Sequence, residues 1–207
     1  MRGEREQLVE VGAAERRALG GGLDLDESAV SGHHDVGVDL GGGVLGVVEV
    51  ELPPETGDTF EENALIKARA AAEATNRPAI ADDSGIEAEA LGSRPGVRSA
   101  RYAGEHATDG ENLAKLRAEA PPGSGLRYVC AVAYIEPGEP PRTVEGTCEG
   151  RMAEQPRGAG GFGYDPVFVP ADGDGSRTMA ELSDEEKDRI SHRGRAVREA
   201  AAWLPSR

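Results

Sequence analysis

Two adjacent carboxylates, Asp82 and Asp83, close a short apolar run and precede a hydroxyl and a glycine in the stretch Pro78 to Gly85, P-A-I-A-D-D-S-G. An Ala-Ile-Ala run bounded in this way reads as a short buried strand, and in α/β sheets ligand chemistry gathers at the strands' carboxyl ends. Two carboxylates held there can bind a hard divalent cation or keep one of the pair as a base, because each raises the cost of ionising the other until a cation offsets it. The same residues also read as an Asp-Ser-Gly turn that carries no chemistry.

Cations complement such carboxylates, and lysine is scarce: Lys67, Lys115 and Lys187 are the only ones. Lys67 follows Asn63 by four residues in T-F-E-E-N-A-L-I-K-A-R-A-A-A. The period of about 3.6 residues puts both on one side of a helix, close to a buried stripe of Phe60, Ala64, Ala68 and Ala72. A lysine there either snorkels along the edge or serves a buried partner. Lys187 falls in E-L-S-D-E-E-K-D-R-I-S-H-R-G, where it gathers with His192 and Arg193 near helix ends. Donors beside a helix N-terminus suit an anion or the acceptor atoms of a base. Between them lies G-A-G-G-F-G-Y-D-P-V-F, Gly158 to Phe168. Its glycines let backbone approach a flat ligand while Phe162 or Tyr164 offers a stacking face; otherwise it is a turn before a strand at Val167 to Val169. Arg94, Arg98 and Arg101 read either as anion ligands or as surface charge.

The elements that must position these residues follow from capping and periodicity. Thr59 with Glu62, and Ser183 with Glu186, match capping boxes, and Ser191 can cap a last helix that takes Trp203 and Leu204 into the core. A helix is expected around Asp109 to Glu119, and Leu126 to Ile135 and Thr143 to Met152 form an antiparallel hairpin across the Pro137 to Pro141 turn. Residues 1 to about 50 differ. They contain no aromatic residue, carry glycine clusters at Gly20 to Gly22 and Gly41 to Gly43, and offer a helix over Glu4 to Leu19 and two short strands, Val36 to Leu40 and Val44 to Val50. The His33-His34 pair reads as solvated loop rather than metal ligands, and Asp172 to Asp174 as a surface loop lacking the glutamate a calcium loop needs.

At 207 residues with 38% hydrophobic content the chain suffices for one well-cored domain or two small lobes. No run approaches the roughly 20 apolar residues of a membrane span, and the charged N-terminus lacks a signal-peptide core, so a cytoplasmic location is expected. A net charge of −15 argues against non-specific nucleic-acid binding but not against a small nucleotide, for which a local cation cluster or a metal is enough. Cys130 and Cys148 are expected as buried free thiols.

Five motifs in order, E-T-G-x-T-F-x-E-N-A-x-x-K-A, A-I-A-D-D-S-G-I, P-G-V-x-S-A-R-Y-A-G, G-G-F-G-Y-D-P-V-F and E-L-S-x-E-E-K-x-x-I-S-H-R-G, resemble the inosine triphosphatase (dITP/XTP pyrophosphatase) family from about residue 52 to the C-terminus. The resemblance implies an α/β fold, a central mixed sheet flanked by helices with two lobes around a nucleotide cleft, and a homodimer. It implies Mg²⁺-dependent hydrolysis of dITP, ITP or XTP to the monophosphate and pyrophosphate. It makes Asp83 the general base, has Glu55 and Asp83 hold the magnesium, and has Asp82 support that centre. Lys67 and Ser84 would contact substrate, Phe162, Gly163, Tyr164 and Asp165 would embrace the base, and Lys187, His192 and Arg193 would complete the pocket.

The family's opening S/T-x-N-x-x-K-x-x-E phosphate loop has no counterpart, since no lysine precedes Lys67 and no asparagine precedes Asn63. The first 48 or so residues are therefore expected to be other than the family's own segment, as a frame or start error would produce, and the family's first strand, which lies inside its sheet, is missing unless one of the two N-terminal runs supplies it. Two functions follow from these expectations: an active pyrophosphatase, or a nucleotide-binding relic without turnover.

Overall fold

The structure, a computed structural model, describes the backbone of residues 36–39 and 45–47 and all of residues 52–203. The helix expected over Glu4 to Leu19, the glycine clusters, the His33-His34 pair and Leu204 lie outside the described residues.

Two short strands do form where the apolar runs of the N-terminal segment predict them, β1 (Val36–Asp39) and β2 (Leu45–Val47). They pair antiparallel, with Val38 opposite Gly46. The other edge of β1 pairs antiparallel with the start of β3 (Ala79–Ala88), with Val36 opposite Ala81 and Val38 opposite Ala79. The sheet position beside β3 is thus filled by β1, from the N-terminal segment.

Between β2 and β3 runs α1 (Phe60–Thr75), opened by the expected capping box of Thr59 and Glu62 and closed by Asn76 in the left-handed conformation (φ 51°) that asparagine tolerates. Its stripe of Phe60, Ala64, Ala68 and Ala72 is buried, as the helical period requires. The alanines let a helix lie close to a sheet, and α1 packs on β1.

The strand carrying the two carboxylates departs from the expected pattern. Asp82 to Gly85 is not a turn: β3 continues through these residues to Ala88. Turn propensity loses here because the backbone finds distant partners. Ile86 N donates to Ser99 Oγ at 2.8 Å, and Glu87 and Ala88 pair with β4 (Arg94–Pro95). A strand that runs on keeps its two-residue alternation, so Asp83 faces one side and Asp82 and Ser84 the other.

The remaining elements are α2 (Asp109–Glu119), β5 (Gly125–Ile135), β6 (Arg142–Met152), β7 (Phe168–Pro170), α3 (Asp184–Ile190) and α4 (His192–Ala200). The sheet order is β2-β1-β3-β5-β6-β7, with β4 attached to β3. The architecture is α/β as expected. The β1–β2, β1–β3, β3–β4 and β6–β7 pairings are all antiparallel, so none of these supplies the mixed character expected of the sheet.

The two expected lobes correspond to two compact units. The first holds the described residues up to Asp83, Ala131–Val144 and those from Ala196 onward; the second holds Ser84–Cys130 and Glu145–Arg195. In the first, Trp203 is half-buried with its ring 6.5 Å from that of Tyr134, so it borders the core rather than filling it. The second has a core that includes Ile86, Leu116, Leu126, Tyr128, Met152 and Phe168. Burying residues such as Ile86 or Phe168 contributes about 1.5–3 kcal/mol each. Both cysteines are free and buried, and burial pushes the Cys148 thiol up to about 11.

Candidate active site

In the first unit, Lys67 places its ammonium among carboxylates. The side chain is 1% exposed, and Nζ donates to Glu55 Oε1 at 3.0 Å and to Asp83 Oδ1 at 3.2 Å. One turn earlier on α1, Asn63 donates from Nδ2 to Asp83 Oδ2 at 3.1 Å. Its own Oδ1 accepts from Gly57 N at 2.8 Å, which fixes which way the amide points. The helical spacing of Asn63 and Lys67 thus serves one purpose: both residues reach the same aspartate, one on each carboxylate oxygen. Snorkelling does not describe Lys67.

Three carboxylates, Asp83, Asp82 and Glu55, act on one ammonium. Burial disfavours the charge on Lys67, but these carboxylates outweigh it and hold the ammonium above its ordinary value. Burial likewise pushes the Asp83 carboxyl above its usual range; Glu55 adds to that shift, while Lys67 and the Asn63 hydrogen bond oppose it. The two shifts differ in origin: burial leads for Asp83, whereas the neighbouring carboxylates lead the rise of Lys67.

The cluster's oxygen donors bear on a metal. Among the described residues no three His, Cys, Asp or Glu side chains form a ready-made cage. A magnesium-type ion, however, needs only one or two carboxylates beside substrate phosphates, and it demands oxygen donors. Glu55 and Asp83 supply these, so the residues present fit a hard divalent cation.

The second unit assembles a different cluster around Asp165. This buried carboxylate accepts from Tyr128 Oη at 3.0 Å on Oδ1 and from Lys187 Nζ at 3.4 Å on Oδ2. Burial raises the Asp165 carboxyl, and Lys187 and Tyr128 pull it back. The Tyr128 ring stacks on the imidazole of His192, centroids 4.7 Å apart and planes 10° from parallel. Nearby, Arg193 donates to Ser84 Oγ at 3.2 Å. Lys187 is carried by α3 and His192 by the start of α4, whose caps are those expected: Ser183 with Glu186, and Ser191 Oγ accepting from Gly194 N at 3.0 Å.

The glycine-rich loop lies over this cluster. At Gly161 (φ +77°) an added Cβ would stand 2.0 Å from Asp165 Oδ2 and 2.6 Å from Lys187 Nζ, so the position excludes any side chain. Gly163 N donates to Asp109 Oδ2 at 2.8 Å, and the buried Tyr164 donates its hydroxyl to Ser99 O at 2.7 Å. Tyr164 is therefore an anchor of the loop. Phe162 is the residue that presents a ring: at 56% it is the exposed large hydrophobic of the described residues.

The structure thus groups Glu55, Lys67, Asp82 and Asp83 in the first unit, and Ser84, Phe162, Gly163, Tyr164, Asp165, Lys187, His192 and Arg193 in the second. Sequence reasoning placed Asn63 beside Lys67 without giving it a role, and it passed over Tyr128 and Asp109. Tyr128 carries the one signal that could have found it, a phenol in an otherwise apolar strand, which needs a buried partner.

Comparison with known proteins follows the same lines. Residues 31–203 match the Ham1 family. The dITP/XTP pyrophosphatase of Geobacillus kaustophilus is 55% identical over 151 residues, covering 69% of this chain and 71% of that protein. The dITP/XTP pyrophosphatase of Nocardia farcinica is 47% identical over 178 residues, covering 84% and 82%. Among solved structures, the HAM1 protein from Coxiella burnetii superposes with a TM-score of 0.68 at 45% identity, covering 74% of this chain and 80% of that one.

Proposed function

The chain belongs to the Ham1 family, and on that premise we propose that it hydrolyses dITP, ITP and XTP to the monophosphate and pyrophosphate, clearing them from the nucleotide pool. The observation that carries this reading is the buried Lys67, held between Glu55 and Asp83 with Asn63 on the second Asp83 oxygen.

In this reading Asp83 is the general base. Asn63 and Lys67 fix its carboxylate, and its raised proton affinity suits it to take a proton from water near neutral pH. The water oxygen forms a bond to the α-phosphorus as the bond from that phosphorus to the bridging oxygen breaks, and pyrophosphate leaves. Lys67 offers a compact charge to the phosphates, and Asp82 adds to the field that keeps it charged. Glu55 and Asp83 would hold Mg²⁺, which when bound neutralises charge developing on phosphate oxygens.

The second cluster selects the base. Phe162 supplies a stacking face, and Asp165 and Lys187 hold the glycine loop that presents it. His192 and Arg193 donate to the O6 of a 6-oxo purine, while Ser84 bonds Arg193. Adenine presents its own donor at that position, and leaving a buried group unpaired costs ~1–3 kcal/mol, so ATP is disfavoured by about tenfold or more.

No helix among the described residues is long and apolar enough to cross a membrane, and the net charge of −15 disfavours a nucleic-acid partner. The reading therefore includes a cytoplasmic homodimer acting on free nucleotides. A relic without turnover is not favoured, because the carboxylate–lysine cluster is whole and the relatives named as pyrophosphatases match most of the chain.

The test is purified protein with Mg²⁺ and dITP, ITP, XTP or ATP, scored for each phosphate product. The expected result is pyrophosphate and monophosphate from the first three. Orthophosphate as the product, or equal rates with ATP, would overturn the assignment.

A further inference from the structure

Tyr128 lies on β5 and is buried. Its ring sits between two others, that of Phe168 at 4.4 Å and that of His192 at 4.7 Å. A phenylalanine would fill this space equally well. A hydroxyl carried into such a place costs free energy unless it is hydrogen-bonded, and its partner here is a carboxylate rather than the backbone. That carboxylate, Asp165, takes Tyr128 on one oxygen and Lys187 on the other, while Asp165 N donates to Phe162 O at 3.2 Å. One side chain therefore touches two members of the base pocket, through its hydroxyl and through its ring.

Resting on the reading of Phe162–Asp165, Lys187 and His192 as that pocket, we propose that Tyr128 is a positioning residue for nucleotide recognition: its hydroxyl fixes the Asp165 carboxylate that holds Lys187 beneath the Phe162 loop, while its ring sets the plane of His192. Lys187 donates to Asp165 at 3.4 Å, longer than the 3.0 Å bond from Tyr128, so the phenol is the closer restraint on that carboxylate. Burial and the neighbouring Asp165 hold the Tyr128 phenol well above its ordinary value, so it stays a donor across the working pH range. Without the hydroxyl, Asp165 Oδ1 loses the bond that restrains it, and the carboxylate is left to turn about its bond to Cβ. Gly161 would follow, since it lies close over Asp165 and Lys187.

The experiment is Tyr128→Phe, which keeps the ring between Phe168 and His192 and removes only the hydroxyl. Three quantities are measured beside wild type: kcat and KM for dITP, the Kd of inosine monophosphate by calorimetry without metal, and the melting temperature. The expected result is a rise of about tenfold in both KM and Kd, with kcat within about threefold and melting close to wild type. Tyr128→Leu, which also removes the stack on His192, is expected to raise Kd further. KM and Kd within twofold of wild type for Tyr128→Phe would overturn the proposal. So would a parallel loss of kcat and of folding, which marks a purely structural role. The calorimetry keeps this test separate from the pyrophosphatase reading: wild type that binds inosine monophosphate but releases no pyrophosphate sinks that reading and leaves the Tyr128 comparison intact.

Discussion

The two clusters use the same ion pair, a lysine on a buried aspartate, and make it into different things. Lys67 is sealed in, holds two carboxylates at 3.0 and 3.2 Å, and feels a third. Lys187 keeps 14% of its side chain exposed and holds one carboxylate at 3.4 Å, which also has a tyrosine hydroxyl. The first gathers carboxylate oxygens around one buried ammonium, the donor set that suits a hard cation or a base. The second is framed by aromatic rings and lies under a glycine loop with Phe162 exposed. Chemistry suits the first and recognition the second. The contrast teaches that a buried ion pair is informative through its neighbours rather than through its presence.

Removing each lysine breaks the comparison most directly. Lys67→Met removes the buried ammonium that Glu55 and Asp83 both bond, and a loss of ~3–5 kcal/mol in urea unfolding is expected. Lys187→Met leaves Asp165 its bond from Tyr128, and a loss of ~1 kcal/mol is expected. Equal losses would erase the distinction between the clusters.

Gly161→Ala probes the recognition side alone. The added methyl collides with Asp165 Oδ2 and Lys187 Nζ at a left-handed φ, so KM for dITP should rise about tenfold while kcat stays within about threefold. A kcat that falls with KM unchanged would place the loop in the chemistry instead.

The pH dependence of stability tests the burial of Asp83 in the first cluster. Burial raises Asp83, so its proton is bound more tightly in the folded chain than in the unfolded one. Such a group contributes stability that is full below its unfolded value, about 3.9, and is lost as pH rises through the folded value. Asp83→Asn removes that loss and leaves Lys67 with Glu55. Its urea midpoint should therefore exceed that of wild type at pH 8, with the gap closing toward pH 4. A lower midpoint at pH 8 would mean that the Lys67 pair, not burial, dominates.

The smallest effect concerns a residue of neither cluster. Cys148, buried and pushed up to about 11, should resist thiol reagents at pH 8 in the folded protein and react once it unfolds. Prompt labelling of the native chain would show the second unit's core to be open.

Much of the charge cluster was legible because helical arithmetic is local. Thr59 and Glu62 set the start of α1, and the four-residue step from Asn63 to Lys67 follows from it. The strand β3 was legible only as far as Asp82. Beyond that point Asp-Ser-Gly carries turn chemistry, and what overrides it is pairing with β4 and with Ser99, residues whose approach no local pattern announces. Tyr128 escaped for a related reason: in a run such as Y-V-C-A-V-A-Y a tyrosine reads as core, and only the fold brings Asp165 and His192 to its two ends. The N-terminal strands were visible as apolar runs, whereas the place of β1 beside β3 was not.

The division of labour is tested most directly by kcat and KM for dITP measured side by side in Asp83→Asn and Asp165→Asn. Asp83→Asn should lower kcat about a thousandfold, the scale of losing a base that also serves a metal, whereas Asp165→Asn should raise KM about tenfold and leave kcat within about threefold. An Asp83→Asn enzyme that keeps its kcat, or an Asp165→Asn enzyme that loses it to the same degree, would contradict the account.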